Sequence, residues 1–302
     1  MRVLSLVNQK GGCGKTTVAI HLGAALAATG QRVLVVDLDP QAHATLGLGQ
    51  DAQRSTSVLD VLADGVGIAD HLIDVPGGMQ LLPANLRLAE FEEASARMIR
   101  PESVLRRALS DVADQFDYAL LDCPPRADGI LTSNALCASS LAVLVVEAGV
   151  FSLQGALKTI ALLRETAGNQ GSSFDLRLLC TLLEPKGRVG QEVLIALQQR
   201  FGPELFETAI CACEELREAP LRGQPVPMFA PNSRSDLEFA SLAREVQALE
   251  LRLGRSLEHA LPMRAPATSE REMEGTAGAA LGAVLGAEIG AELARLEIRE
   301  NV

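Results

Sequence analysis

The run Lys10-Gly11-Gly12-Cys13-Gly14-Lys15-Thr16-Thr17 constrains this chain more than any other stretch. An apolar segment, Val3 to Val7, precedes it; Val18-Ala19-Ile20 and an alanine-rich segment follow. The order is strand, glycine-rich loop, helix. A loop of this kind turns backbone N–H groups inward around phosphate oxygens, and the helix N-terminus adds its positive dipole. The spacing places Lys15 against the β- and γ-phosphates and the Thr16 hydroxyl on Mg²⁺, with Gly11, Gly12, Cys13, Gly14 and Thr17 completing the cradle. The plain form of the loop has glycine five residues before Gly14. Here that position is Gln9, and a lysine, Lys10, follows it.

Two further segments supply carboxylates. Val35-Val36-Asp37-Leu38-Asp39-Pro40-Gln41 closes a second apolar run with two aspartates. Tyr118-Ala119-Leu120-Leu121-Asp122 closes a later one with a third. Ligands of open parallel sheets sit at such strand ends. The continuous apolar runs Arg32–Asp39, Tyr118–Asp122, Leu141–Val146 and Leu176–Leu183 alternate with helical faces at Lys15–Ala28, Pro101–Phe116, Leu153–Glu165 and Gln191–Phe201. That alternation predicts an α/β fold, doubly wound, whose mostly parallel sheet carries helices on both faces. A last helix is expected from Ser235 to Leu253, and the domain is expected to span residues 1–254.

The C-terminal remainder reads differently. Residues 255–276 contain Pro262 and Pro266 and read as a linker. In residues 277–302, a Gly/Ala/Leu-rich tail, Gly278, Gly282, Gly286 and Gly290 recur every fourth position beside Leu281, Leu285, Ile289 and Leu293. Such stripes suit a helix that packs closely on another, and a disordered tail is the alternative. The tail carries glutamates rather than a lysine face, which argues against a membrane-surface helix.

Six cysteines at irregular spacing, with the N-terminus running directly into the first strand, point to reduced thiols in the cytoplasm. Net charge is -11, distributed as -6 over residues 1–149, -1 over 150–255 and -4 over 256–302. The whole excludes a strongly basic nucleic-acid binder, while the middle stretch is the least acidic.

Together these residues resemble the ParA/MinD family, whose deviant Walker A box, KGGxGK[ST], carries two lysines. VVDLDPQAHATLGLG resembles the second box of the partition ATPases in that family. FDYALLDCPP and the TSNAL after it resemble their Walker B region, and Glu218-Ala219-Pro220 with Gly223-Gln224-Pro225-Val226 resembles the late EAPxxGxPV motif. The likeness covers residues 1–252 and is to the short form, without an N-terminal DNA-reading domain. It implies an ATPase using ATP and Mg²⁺, with Thr16 on the metal and Asp37 and Asp122 beside it. Asp39 matches the aspartate that positions the attacking water. Lys10 matches the signature lysine that reaches the partner's nucleotide in a homodimer with ATP sandwiched between the subunits. A cation supplied in trans stabilises the spread charge of a transferring phosphoryl group.

The same likeness implies nonspecific DNA binding by the ATP dimer, a nucleoid location, and a stimulating partner of the ParB or cargo-adaptor kind. Lys186, Arg188, Arg217, Arg222 and Arg234 are the candidate DNA contacts. Where the family has Pro-Arg-Asn near the adenine, this chain has Cys211-Ala212-Cys213; Thr181 and Leu182 are the alternative base contacts. Competing readings are a MinD-like membrane-surface ATPase, an electron-transfer ATPase with Cys123 and Cys137 near a cluster, and an ATP-bound scaffold without turnover. Intact Lys10 and Asp39 speak against the last.

Overall fold

A computed structural model describes residues 1–258. It contains β1 (Arg2–Val7), α1 (Lys15–Ala28), β2 (Val33–Asp37), α2 (His43–Gly47), β3 (Ile73–Val75), β4 (Met79–Leu82), α3 (Phe91–Ser95), α4 (Val104–Ser110), β5 (Tyr118–Asp122), α5 (Ile130–Ala138), β6 (Leu141–Glu147), α6 (Ser152–Gln170), β7 (Asp175–Thr181), α7 (Arg188–Phe201), α8 (Glu214–Arg222) and α9 (Arg234–Glu258). The chain divides into Met1–Gly254 and Arg255–Val302. Of the second unit only residues 255–258 are described, as helix. The rest of the linker and the glycine-striped tail lie outside the described residues.

The seven strands form one sheet in the order β3-β4-β2-β5-β1-β6-β7. All neighbours are parallel except β3 and β4. β2 and β5 are buried along their whole length, which is why their sequences read as unbroken apolar runs rather than alternating ones. Successive parallel strands require crossovers, and the helices that supply them cover both faces. One face packs α1 and α9 through Leu22, Leu26, Phe239, Leu242 and Val246; the other buries Leu62, Phe91, Leu105, Leu109 and Leu136. A third cluster holds α6 and α7 to β6 and β7 through Ile160, Leu178, Leu197 and Phe201. Each fully buried side chain of this size contributes roughly 1.5–3 kcal/mol.

Three features differ from the sequence expectation. β2 stops at Asp37, so Asp39 belongs to the loop beyond it. The segment Pro101–Phe116 is one tight turn, Pro101–Ser103, then only two turns of α4, with residues 111–115 in turns. The β3–β4 hairpin is short, three and four residues, and joined through Gly77 and Gly78 at φ +90° and +74°. No described helix is long and apolar enough to cross a membrane.

Candidate nucleotide site

The loop between β1 and α1 takes its shape from its glycines. Gly12 and Gly14 have φ +76° and +94°, a region that favours glycine. Gly14 caps α1, accepts the Val18 N–H at 2.9 Å through its carbonyl, and offers no side-chain cap. The first N–H groups of the helix have no intrahelical acceptor, and its first turn carries no carboxylate. Both properties suit an anion in front of the loop.

Distant strands fix the loop. Thr181, at the end of β7, donates its hydroxyl to the Cys13 carbonyl at 2.7 Å. Asn8 bonds the Val145 carbonyl through Nδ2 at 2.6 Å and accepts the Lys10 N–H through Oδ1 at 3.1 Å. Lys15 Nζ donates to the Lys10 carbonyl at 3.2 Å and is almost wholly buried.

The carboxylates gather beside Thr16. Asp37 and Asp122 end adjacent strands and face each other in register; both are buried. Asp37 accepts the N–H and hydroxyl of Thr45, at 2.8 and 2.7 Å, and the Asp39 N–H at 3.1 Å. Burial outweighs those bonds and pushes its pKa up to about 6. Asp122 is pushed up as well, first by burial and then by Asp37, against the pull of Thr16 and Lys15. The Thr16 hydroxyl donates to Asp122 Oδ2 at 2.7 Å, which leaves its lone pairs for a cation. Asp122 Oδ1 is buried and has no hydrogen-bond partner among the described residues. Two apposed carboxylates with one orphaned oxygen beside a free hydroxyl lone pair make a donor set that fits Mg²⁺. Bound there, the ion would neutralise charge on the β- and γ-phosphate oxygens.

Asp39 is mostly buried in the loop past β2. Its Oδ1 accepts the Gln41 N–H at 2.9 Å and its carbonyl the Ala42 N–H at 2.8 Å. The same residue thus shapes the turn before α2 and places a carboxylate just beyond the C-terminal end of β2.

Lys10 stands apart. Its side chain is 58% exposed, and its ammonium pairs with Glu147 at the end of β6. It does not join the cluster of Lys15, Thr16, Asp37 and Asp122.

A cavity of about 110 Å³ opens on the other side of the loop, bordered by Gly14, Thr17, Leu182, Cys211, Cys213 and Arg217. The hydroxyl of Thr181 is already committed to Cys13, so this side chain serves the loop. Arg217 stands at the cavity rim. Arg188, Arg217 and Arg222 pair with Glu192, Glu214 and Glu218 of their own helices; Lys186 lies in the β7–α7 loop and Arg234 opens α9 beside the Cys211 thiol. Burial pushes that thiol up to about 12.

Sequence reasoning missed the supporting residues Asn8, Thr45 and Glu147, and it named Thr181 as a base contact rather than as a support of the loop. The available signals were slight: Asn8 immediately precedes the loop, and Glu147 ends the Leu141–Val146 run with a charge.

Comparison with known proteins shows the family of the chain. A family profile described as an AAA domain matches residues 1–173. The sporulation initiation inhibitor protein Soj of Bacillus subtilis is 35% identical over 250 residues, covering 82% of this chain and 98% of that protein. The chromosome-partitioning ATPase Soj of Thermus thermophilus is 39% identical over 249 residues, covering 82% and 96%. Among solved structures, cobyrinic acid a,c-diamide synthase from Mycobacterium smegmatis, with bound ATP analogue and magnesium, has a TM-score of 0.69 at 31% identity, covering 85% of this chain and 96% of that one. Fold and loop define a P-loop ATPase, an enzyme that works on ATP with Mg²⁺. More narrowly, the chain belongs to the ParA/Soj family of partition ATPases.

Proposed function

We propose that this ATPase positions or segregates a large cargo, such as a chromosome or plasmid, by cycling between monomer and ATP-sandwiched homodimer. In this reading Lys15 and the Gly11–Thr17 amides hold the phosphates of the chain's own ATP. Thr16, Asp37 and Asp122 hold Mg²⁺, and Asp39 orients the attacking water. Lys10 completes the partner's site. The observation that carries the reading is the division between the lysines: the Lys15 ammonium is buried and held on the Lys10 carbonyl, whereas the Lys10 side chain is exposed and its ammonium turns to Glu147 instead. An exposed cation at the rim of the loop is placed to serve a second nucleotide.

The ATP dimer binds duplex DNA nonspecifically through late basic residues, Lys186, Arg188, Arg217, Arg222 and Arg234 being the candidates. Three of them sit in exposed helix-internal ion pairs, which are weak and readily exchanged for DNA phosphates. A ParB-like or cargo-adaptor partner accelerates hydrolysis, and a basic segment on that partner would match the acidic net charge of -11. The protein then works in the cytoplasm at the nucleoid.

The test uses Asp39→Ala, which is expected to hold ATP without turnover. Its binding to nonspecific duplex DNA is measured with ATP and with ADP across a salt series. ATP-dependent binding that weakens steeply with salt is expected. Absence of binding at low salt would remove DNA from the proposal, and anionic liposomes would be the next surface to try.

A further inference from the structure

The partner of Lys10 is a carboxylate of its own chain, and both ends of that ion pair are held rigidly. Lys10 follows Asn8, whose side chain bonds the Lys10 N–H and the Val145 carbonyl of the neighbouring strand β6. Glu147 ends β6. Its carbonyl accepts the Ser152 hydroxyl at 2.5 Å and the Gly149 N–H at 2.9 Å. Gly149 leaves room for the carboxylate: a Cβ there would lie 3.0 Å from Glu147 Oε1. Side-chain exposures of 58% for Lys10 and 24% for Glu147 put the pair at the surface, where another anion can reach the ammonium.

We infer that Glu147 is a positioning residue that latches Lys10 in the single chain, so that dimerisation proceeds by ion-pair exchange. The inference rests on the reading of Lys10 as the residue that serves the partner's nucleotide. While the latch is closed, the Lys10 charge is spent on Glu147. Engaging a second nucleotide means replacing one carboxylate oxygen by phosphate oxygens of higher charge, in both subunits at once. ADP offers fewer charges for the exchange than ATP, so the latch adds to the preference of the dimer for the triphosphate. A glutamate here brings negative charge next to a loop that must receive a polyanion; burial raises the pKa of the nearby Cys13 thiol, and the Glu147 charge adds to it.

The experiment measures dimerisation of the full chain with Mg²⁺ and the non-hydrolysable analogue AMPPNP by sedimentation velocity. Four proteins are compared: wild type, Glu147→Gln, Lys10→Ala and the double variant. An exposed ion pair is weak, and two are exchanged per dimer, so Glu147→Gln is expected to tighten the dimer by about 2- to 25-fold. Glu147→Ala should act in the same direction. In the Lys10→Ala background the Gln substitution should change nothing, because its effect runs through the ammonium. A merely structural role for Glu147 would instead weaken the dimer and persist without Lys10. If Lys10→Ala abolishes the dimer while Glu147→Gln leaves wild-type affinity unchanged or weakened, the latch is overturned and the trans role of Lys10 survives. If Lys10→Ala dimerises as wild type does, the trans role falls and the latch falls with it.

Discussion

Single side chains hold the loop from the far side of the sequence. Thr181 lies 168 residues from the carbonyl it bonds, and it is buried. Thr181→Val keeps the shape and removes the donor, so the Cys13 carbonyl loses its partner in a buried setting. Such a loss costs roughly 1–3 kcal/mol. Because the loop rather than the core relies on this bond, ATP affinity is expected to fall about tenfold or more, with a smaller shift in thermal unfolding; calorimetric titration with ATP and Mg²⁺ checks it. Unchanged affinity would show that the loop holds its shape without β7. Residues of this kind were not legible in the sequence. Lys15, Thr16, Asp37 and Asp122 could be read because their chemistry follows from spacing within a motif or from position at a strand end. Thr181, Asn8 and Glu147 act through contacts across 137 to 168 residues, and the local sequence marks their roles only faintly.

Among elements, α1 does two jobs. Its N-terminus opens from the glycine loop and its body packs on α9, where His21 stacks on Phe239 with ring centroids 5.1 Å apart. His21 Nδ1 donates to the Thr17 carbonyl at 2.8 Å, while Nε2 is buried without a partner among the described residues. Burial drives the pKa of this ring down to about 4 from an ordinary 6.5. The folded protein therefore holds His21 neutral, and the unfolded chain takes up a proton first as pH falls. Its contribution is fully present above pH 6.5 and is lost progressively down to about pH 4, by roughly 3 kcal/mol at most. Urea unfolding at pH 7.5 and pH 5, for wild type and His21→Gln, should show the stability gap between them narrowing at the lower pH. A constant gap would mean that the ring is not the titrating group. The helix itself was plain from the sequence, residue for residue at Lys15–Ala28. The β3–β4 edge was not, because a three-residue strand carries too little periodicity to stand out. Gly223 is another hidden element contact. At φ +63° it ends α8, and a Cβ on it would lie 2.7 Å from the Gly49 Cα after α2. The glycine of the late motif is thus explained by backbone packed on backbone.

On the scale of the molecule, the site lies where β2 and β5 end between the two cores. Burial makes it precise and also makes it costly. Asp37 and Asp122 are apposed in a buried setting, and Asp122 keeps an oxygen without a partner among the described residues. Replacing Asp122 by Asn removes one carboxyl group of this buried, apposed pair, so nucleotide-free Asp122→Asn is expected to unfold about 2–4 °C higher than wild type, equivalent to about 1 kcal/mol. The same variant should lose the stabilisation that wild type gains from Mg²⁺ with ATP, read by thermal unfolding with and without them. A lower melting temperature for the empty variant would show that the apposition is well tolerated. The nucleotide-free enzyme thus keeps two carboxyl groups buried side by side, an arrangement that a bound cation would relieve. What binds such a pair steadies the whole fold around it, so limited proteolysis of the protein is expected to slow when ATP and Mg²⁺ are supplied, and its lifetime then follows nucleotide supply.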